Sequence, residues 1–483
     1  MSTQTKKSSF SGGIGFVLAA AGSAVGLGNL WRFPTLASKY GGGLFLLVYL
    51  GLVLTFGFSL LMTDIAIGRK TGKSSLDAYK TINPKWNFLG KLTFVVPSII
   101  ITYYVVIGGW ILKYIFASTT NLSAAADGNG EFFTAFTSSK APPIFWMLIF
   151  LAITAFIVFC GVEKGIERFS KIIMPVLFVM IIGIALFVLF AKDETTGRTG
   201  WKGFLHYVTP RLTDAEGKKF TIATIMQLVL DAMSQLFFSL SVAMGIMITY
   251  GSYVKKDVDL GKSVKQIEIF DTLVAFLAGM MVVPATYIFS LETTKIMTKG
   301  GPGVIFIILP QIFEKMGAIG KIIAPLFFVM VAFAALTSSV SILEAIVGSC
   351  AETFKINRKK ICLIISAIAL VAAIIVCLGF TDVLGFIKVV LPNDDAITAK
   401  EASHNLLDIL DYISNYLLMP IISLLTCILI GWVVKPKWVI DEVETEGVKF
   451  GRKKLYAFMI KYAAPVVMIL LILQSLGAFK FLG

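Results

Sequence analysis

Apolar runs of about 20 residues recur from one end of the chain to the other, separated by short polar stretches. A helix needs that length to cross the hydrocarbon core of a bilayer, so each run predicts a membrane-spanning helix. Eleven spans result, at 12–38, 42–69, 88–119, 143–161, 167–191, 222–253, 264–292, 319–350, 358–379, 404–434 and 453–480. The strands of a membrane barrel would be short and alternating, which argues against that architecture. The polar start MSTQTKKSSF followed by an apolar run superficially suggests a signal peptide. The run passes through Gly22, Gly28 and Arg32 without a small-residue cleavage site, however, and leads into further spans.

Composition supports this reading. Of 483 residues, 57% are hydrophobic and 15% charged, well below the roughly 25% charge of a soluble domain. A soluble enzyme, a secreted scaffold and a disordered regulator are excluded. Net charge is +14, but no basic run is interleaved with aromatics on a polar face, so nucleic acid is not the expected partner. The basic residues fall in alternate loops: Lys6 and Lys7; Arg69, Lys70 and Lys73; Lys164 and Arg168; Lys255 and Lys256; Arg358, Lys359 and Lys360; Lys435, Lys437, Arg452 and Lys453. By the positive-inside bias these loops, and the N-terminus, face the cytoplasm. Five cysteines without CxxC spacing and two histidines suggest neither a disulfide framework nor a multi-histidine metal centre. No nucleophile–base pair stands at helical spacing, so no enzyme is expected.

Spans 1 and 6 differ from the rest. The first contains AAAGSAVGLGNLWRFP and the sixth LFFSLSVAMGIMITYGSYVKKD. Small residues interrupt both, five spans apart. Paired interrupted helices in corresponding positions of two halves point to an inverted-repeat transporter. The repeats would be 12–191 and 222–434, with 1–11 cytoplasmic, 192–221 an extracellular loop, and 435–483 a loop plus span 11. Gly22 and Gly26 also form a GxxxG, which by itself favours simple helix packing. Asn29, Arg32 and Pro34 in the same span reverse that preference, because an arginine at membrane depth needs a partner or water. Broken helices bare N–H groups suited to a carboxylate and carbonyls suited to a cation.

GSAVGLGNLWRFP, KYGGG before span 2, YYVVIGGW in span 3, FFSLSVAMGIMITYGSY in span 6, ALTSS in span 8 and LDILD opening span 10 together resemble the neurotransmitter:sodium symporter family. The similarity runs from Lys7 to the end of span 11. It implies an all-α polytopic fold of LeuT type, a 5+5 inverted repeat with broken helices 1 and 6 plus an eleventh helix. It also implies cotransport of a small amino acid or amine with sodium by alternating access. Short outer loops, the lack of a twelfth span and the missing loop cysteine pair of animal relatives suggest a prokaryotic cytoplasmic membrane. A homodimer is compatible with the resemblance.

Carried over residue by residue, the resemblance implies that a substrate carboxylate meets the amides of Leu27 and Gly28 and the Tyr104 hydroxyl. The substrate amine would meet carbonyls of Ala24, Phe238 and Ser239, and Ser241. Ile100, Tyr104, Val242, Ala243, Met244, Ser241, Ile342 and Ser338 would line a largely apolar side-chain pocket, suited to a neutral hydrophobic amino acid. Two sodium sites are implied. The first uses Ala24, Asn29, Ser239 and Asp271; the second uses Gly22, Val25, Ala334, Thr337 and Ser338. Without the resemblance, Thr337, Ser338 and Ser339 read as hydroxyls bonded to the preceding helical turn. Arg32 would pair with Asp411 as an outer gate, with Gln235 and Asp408 nearby and Tyr104 and Phe238 as an aromatic lid. Lys7 would reach Glu352 as an inner gate, with Phe10, Ser252 and Tyr253 around it.

Three departures from the family pattern, and two further acids at membrane depth, shape the remaining expectations. Chloride-dependent relatives carry a neutral amide and, one turn later, a serine where this chain has Asp271 and Ala275. Asp271, with Tyr49 and Ser239 nearby, would therefore supply the negative charge, making transport chloride-independent; the alternative is a solvated Asp at a helix end. Ala243 replaces a glycine and would make span 6 harder to unwind. Asp64 and Glu344 are expected to bond broken-helix backbone, with a purely structural role as the equal alternative. Lys7 stands for the family's arginine and makes a looser latch. A transporter of another amine or osmolyte, or a non-transporting amino-acid receptor, stays open as an alternative.

Overall fold

In lipid every backbone N–H and C=O must be bonded within the segment, so the apolar runs have one outcome, helix. The computed structural model describes residues 9–194, 196–213, 217–289, 302–392 and 404–479. Among these, ten helices are long and apolar enough to cross a membrane, and a pair bent by 54° makes an eleventh. The spans run Gly13–Ala24 with Gly28–Lys39, Gly43–Thr71, Pro84–Thr120, Pro142–Phe159, Val162–Phe190, Ile222–Ser239, Leu260–Phe289, Gly317–Phe354, Arg358–Leu378, Leu406–Val433 and Lys453–Ser475. Among the described residues no strand forms, only isolated bridges. Large apolar side chains such as Phe156, Val179, Leu363 and Val466 stand exposed on the flanks of spans 4, 5, 9 and 11. In water such a belt would be a liability; in lipid it is the matched surface.

Both expected breaks are present. Span 1 leaves the helix at Val25, whose backbone is extended (φ −74°, ψ 100°). Span 6 leaves it after Ser239 and resumes as Ile246–Gly251. Between them Ser241, Ala243 and Gly245 all have positive φ, at 52°, 61° and 72°. Span 6 is unwound at Ala243 all the same, so the resistance expected of alanine is a strain that the turn carries and not a bar to it. The Ala243 amide donates to Asp64 Oδ2 at 3.0 Å, so the carboxylate in span 2 holds the strained turn, as expected of Asp64. A left-handed alanine costs about 1–2 kcal/mol. Ala243→Gly should raise stability by up to about 1 kcal/mol, since glycine is free of that penalty but loses more entropy. A thermal melt in detergent checks this; a lowered midpoint refutes it.

The tripeptide Gly41–Gly43 after span 1 passes against the backbone of 207–211. Arg211 N donates to Gly41 O at 3.1 Å and Gly43 N to Thr209 O at 3.2 Å. A Cβ on Gly43 would fall 2.1 Å from Val208 O, so only glycine fits. This brace is secured by Arg211 Nη1, which donates to His206 Nδ1 at 2.8 Å. Burial, then the adjacent guanidinium, hold the His206 imidazole down at about 4 and hence neutral. Between the expected spans 264–292 and 319–350 the chain is partly helical: Val304–Ile308 continues into Leu309–Lys315. Phe306 stacks there on Phe133 and packs edge-on to Trp110 of span 3.

Candidate functional site

The two breaks meet at the centre of the helix bundle around a small cavity of about 20 Å³. Its walls come from span 1 (Ser23, Ala24, Gly26 to Asn29), span 3 (Ile100, Tyr104), span 6 (Phe238, Ser239, Ser241, Met244) and span 8 (Ser338, Ile342). Most of the expected pocket residues are therefore gathered. Val242 and Ala243 are buried but do not line the cavity. The non-helical turn sends the Ala243 amide to Asp64 instead.

Ser23 escaped the sequence reading. Its hydroxyl donates to Ser241 Oγ at 3.2 Å, and its carbonyl accepts from Ser241 Oγ at 3.0 Å and Ser338 Oγ at 3.3 Å. Three serines thus join the two breaks to span 8. The signal available was its place within the glycine-rich break. The Tyr104 hydroxyl is buried on the cavity wall and has no hydrogen-bond partner. A buried hydroxyl left unbonded costs free energy, which marks a place for a ligand.

Asp271 is fully buried, so the solvated alternative is excluded. Its Oδ1 accepts from Asn29 Nδ2 at 2.8 Å and Ser239 Oγ at 2.7 Å; Oδ2 is buried without a partner. Asn29 Oδ1 in turn accepts from Gly26 N at 3.1 Å, fixing the amide's orientation. The Tyr49 hydroxyl is likewise buried and unpartnered. The residues expected at the first sodium site converge, and they offer hard oxygens, as a small hard cation prefers.

The second set also converges, along spans 1 and 8. Ser338 Oγ lies 3.4 Å from Val25 O. A Cβ on Gly22 would come within 3.2 Å of Thr337 Cβ. Thr337 Oγ1 donates to Ala334 O at 3.0 Å and Phe333 O at 3.2 Å, the bond to its own turn that the plain reading anticipated. Its lone pairs stay available to a cation.

Above the cavity, toward the Arg32 end, lies a vestibule of about 350 Å³ lined by Trp31, Arg32, Tyr104, Phe238, Asp408 and Asp411 among others. Tyr104 and Phe238 separate it from the cavity, as an aromatic lid would. The expected Arg32–Asp411 pair is not closed. Arg32 Nη2 donates to Ser234 Oγ at 2.9 Å, and its guanidinium lies 5.4 Å from the Tyr416 ring centre. Asp411 instead accepts from Tyr103 at 3.0 Å and Asn415 at 2.6 Å. Gln235 Nε2 donates to Gly28 O at 3.1 Å, a second bond to a carbonyl that also accepts from Phe33 N. Asp408 and Asn405 cap span 10 reciprocally.

At the opposite end Lys7 lies outside the described residues. Glu352 pairs with Lys73 at 3.0 Å and accepts from Ser74 N and Oγ. Phe10 packs on Tyr250 and Tyr253, and its amide donates to Tyr253 O at 3.1 Å. Glu344 departs from expectation: it binds Arg358 and accepts from Tyr253 OH at 2.8 Å, not from broken-helix backbone. Arg358 at the start of span 9 gives this buried carboxylate a cation within hydrogen-bond reach.

A sequence model of the Sodium:neurotransmitter symporter family matches residues 7–140 and 137–483. The uncharacterized sodium-dependent transporter YhdH of Bacillus subtilis is 30% identical over 477 residues, 97% of either chain. The uncharacterized sodium-dependent transporter MJ1319 of Methanocaldococcus jannaschii is 30% identical over 476 residues, covering 96% of this chain and 88% of that one. The crystal structure of MhsT in complex with L-phenylalanine superposes with a TM-score of 0.82 at 33% identity, covering 97% of this chain and all of that one. With its broken spans and its buried polar centre, the chain belongs to the Sodium:neurotransmitter symporter family, a family of sodium-dependent transporters.

Proposed function

We propose that the chain carries a neutral, hydrophobic L-amino acid into the cell together with sodium, by alternating access and without need of chloride. One observation carries this reading: the breaks of spans 1 and 6 face one small cavity in which the buried Tyr104 hydroxyl lacks a partner. A zwitterion needs donors at one end and acceptors at the other. The Leu27 and Gly28 amides with Tyr104 would hold its carboxylate; the Ala24, Phe238 and Ser239 carbonyls and Ser241 would hold its amine. Ile100, Met244 and Ile342 offer an apolar side chain no fixed charge. That MhsT was solved with L-phenylalanine supports the substrate class.

Two sodium ions would be cotransported, one on Ala24, Asn29, Ser239 and Asp271, one on Gly22, Val25, Ala334, Thr337 and Ser338. Asp271 would take the part chloride plays elsewhere. The two repeats would be 12–191 and 222–434, rocking against each other about the cavity. The Phe10 end faces the cytoplasm of a prokaryotic cell, and the Arg32 end faces out.

Uptake into proteoliposomes tests this. With an inward sodium gradient, labelled L-phenylalanine or L-leucine should accumulate, and replacement of sodium by choline should reduce accumulation to background. Replacement of chloride by gluconate should leave it unchanged. Sodium-independent flux would refute symport, and preference for an amine or osmolyte would refute the substrate class.

A further inference from the structure

Two charged residues far from the cavity are more deeply buried than any surface ion pair. At the inner end of span 2, the Arg69 side chain is 2% exposed, and Glu442, on the helix Lys437–Val443 between spans 10 and 11, is 6% exposed. Arg69 Nε donates to Glu442 Oε1 at 2.8 Å, Nη2 donates to the Glu442 carbonyl, and Nη1 donates to Val258 O at 2.6 Å. Lys256 Nζ adds a second cation on Glu442 Oε1 at 2.6 Å and also reaches Arg69 O at 3.3 Å. The next residue, Lys70, donates to Trp438 O at 2.6 Å and lies over the Trp438 ring. The planar fork of arginine is what allows one side chain to hold a carboxylate and two carbonyls at once.

The clasp grips a strap. Residues 252–258 leave the inner half of broken span 6 and lead to span 7. Their other side touches the start of span 1: Tyr253 O accepts from Phe10 N, Lys255 Nζ donates to Ser11 O at 3.2 Å, and Val258 lies against Gly13. The inner ends of both broken spans therefore converge on this strap, and the clasp fixes it from behind. For the inner pathway to open, span 1 must part from the strap or the strap must move. Both are easier once the clasp is lost, because a buried carboxylate facing two cations is a state-dependent contact and biases the equilibrium between the states.

We propose that Glu442 is a positioning residue of the inner closure: with Arg69 and Lys256 it holds the 252–258 strap over the cytoplasmic end of span 1, so the loop between spans 10 and 11 belongs to the gate. The proposal rests on the alternating-access reading above. Its test uses the full chain in proteoliposomes, with Ser252→Cys as reporter in a Cys160→Ala background and a membrane-permeant maleimide as probe. In sodium without amino acid, Glu442→Gln should raise the reporter's labelling rate at least about tenfold, equivalent to about 1.4 kcal/mol of population shift. Glu442→Asp should restore most of the protection, and Lys256→Met, a milder lesion, should give a rise of about threefold. Equal labelling in the parent, Glu442→Gln and Lys256→Met proteins would overturn the proposal, even if transport capacity fell. If Glu442→Gln does not fold, Lys256→Met alone decides in the same way. Sodium-driven L-phenylalanine uptake by the parent protein reports separately on the function itself, so failure of the one reading is distinguishable from failure of the other.

Discussion

Asp271→Asn should lower sodium-driven uptake at least about 100-fold in chloride-free medium, the equivalent of about 2.7 kcal/mol. The carboxylate is fully buried, with Oδ1 held by Asn29 and Ser239 and Oδ2 left without a partner. Two unit charges 4 Å apart at an effective dielectric of 20 attract by about 4 kcal/mol, so removal of one is enough to empty a cation site. The amide keeps the shape of the side chain and can still accept from Ser239. It turns an N–H₂ where a cation would sit, however, and removes the formal charge. If Asp271 replaces a bound chloride, added chloride should restore part of the lost uptake in Asp271→Asn and do nothing in the parent. The measurement is initial-rate uptake in gluconate and in chloride, on protein first shown to be monodisperse. Full activity of Asp271→Asn in gluconate would refute the charge-substitution role. Strict chloride dependence of the parent would refute it as well.

The second large effect is steric. Gly26→Ala should weaken amino-acid binding at least about 100-fold while leaving the protein folded. A Cβ there would lie 2.8 Å from Ser338 Oγ and 3.4 Å from the Tyr104 hydroxyl. The cavity is closed down to about 20 Å³ and must widen to admit an amino acid, and a methyl group on Gly26 would stand in the space so opened. Ser338 would have to swing off the Ser23 and Val25 carbonyls, with loss of about 1 kcal/mol for each bond, and the methyl would stand beside the hydroxyl expected to hold the carboxylate. Gly51→Ala is the control. It meets nothing within 4 Å and sits in a helix, where alanine is favoured by about 1 kcal/mol. Equilibrium binding of labelled L-phenylalanine in saturating sodium separates the two. If Gly26→Ala binds like the parent, the cavity is not the substrate site.

The hydrophobic pattern already contained the architecture. The number of spans, the breaks near Gly26 and after Ser239, and the acids lying at membrane depth could be read from residues adjacent in sequence. Each depends on a local balance: an apolar run must be helical in lipid, and small residues permit the backbone to leave the helix. The Asp64 contact with broken backbone was legible for the same reason, since an isolated carboxylate at membrane depth must bond something. Of the residues of the two proposed sodium sites, Gly22, Ala24, Val25, Asn29 and Ser239 flank those breaks, whereas Asp271 of span 7 and Ala334, Thr337 and Ser338 of span 8 were named only by the family resemblance.

Partner choice was decided by the fold. Arg32 and Asp411 were paired by the family resemblance, yet Ser234 and Tyr416 take the arginine while Tyr103 and Asn415 take the carboxylate. Glu344 took Arg358 instead of a freed amide. Val242 and Ala243 left the pocket wall because a turn with positive φ reverses which side chains face inward. Ser23 entered it, and Glu442 reached back across the chain to Arg69. By itself the sequence determined which segments lie in lipid and where the helices give way, since those outcomes follow from transfer of neighbouring groups out of water. Only the tertiary structure decided which buried polar atom meets which, because among several acceptable partners the bond goes to the one that packing brings within 3 Å.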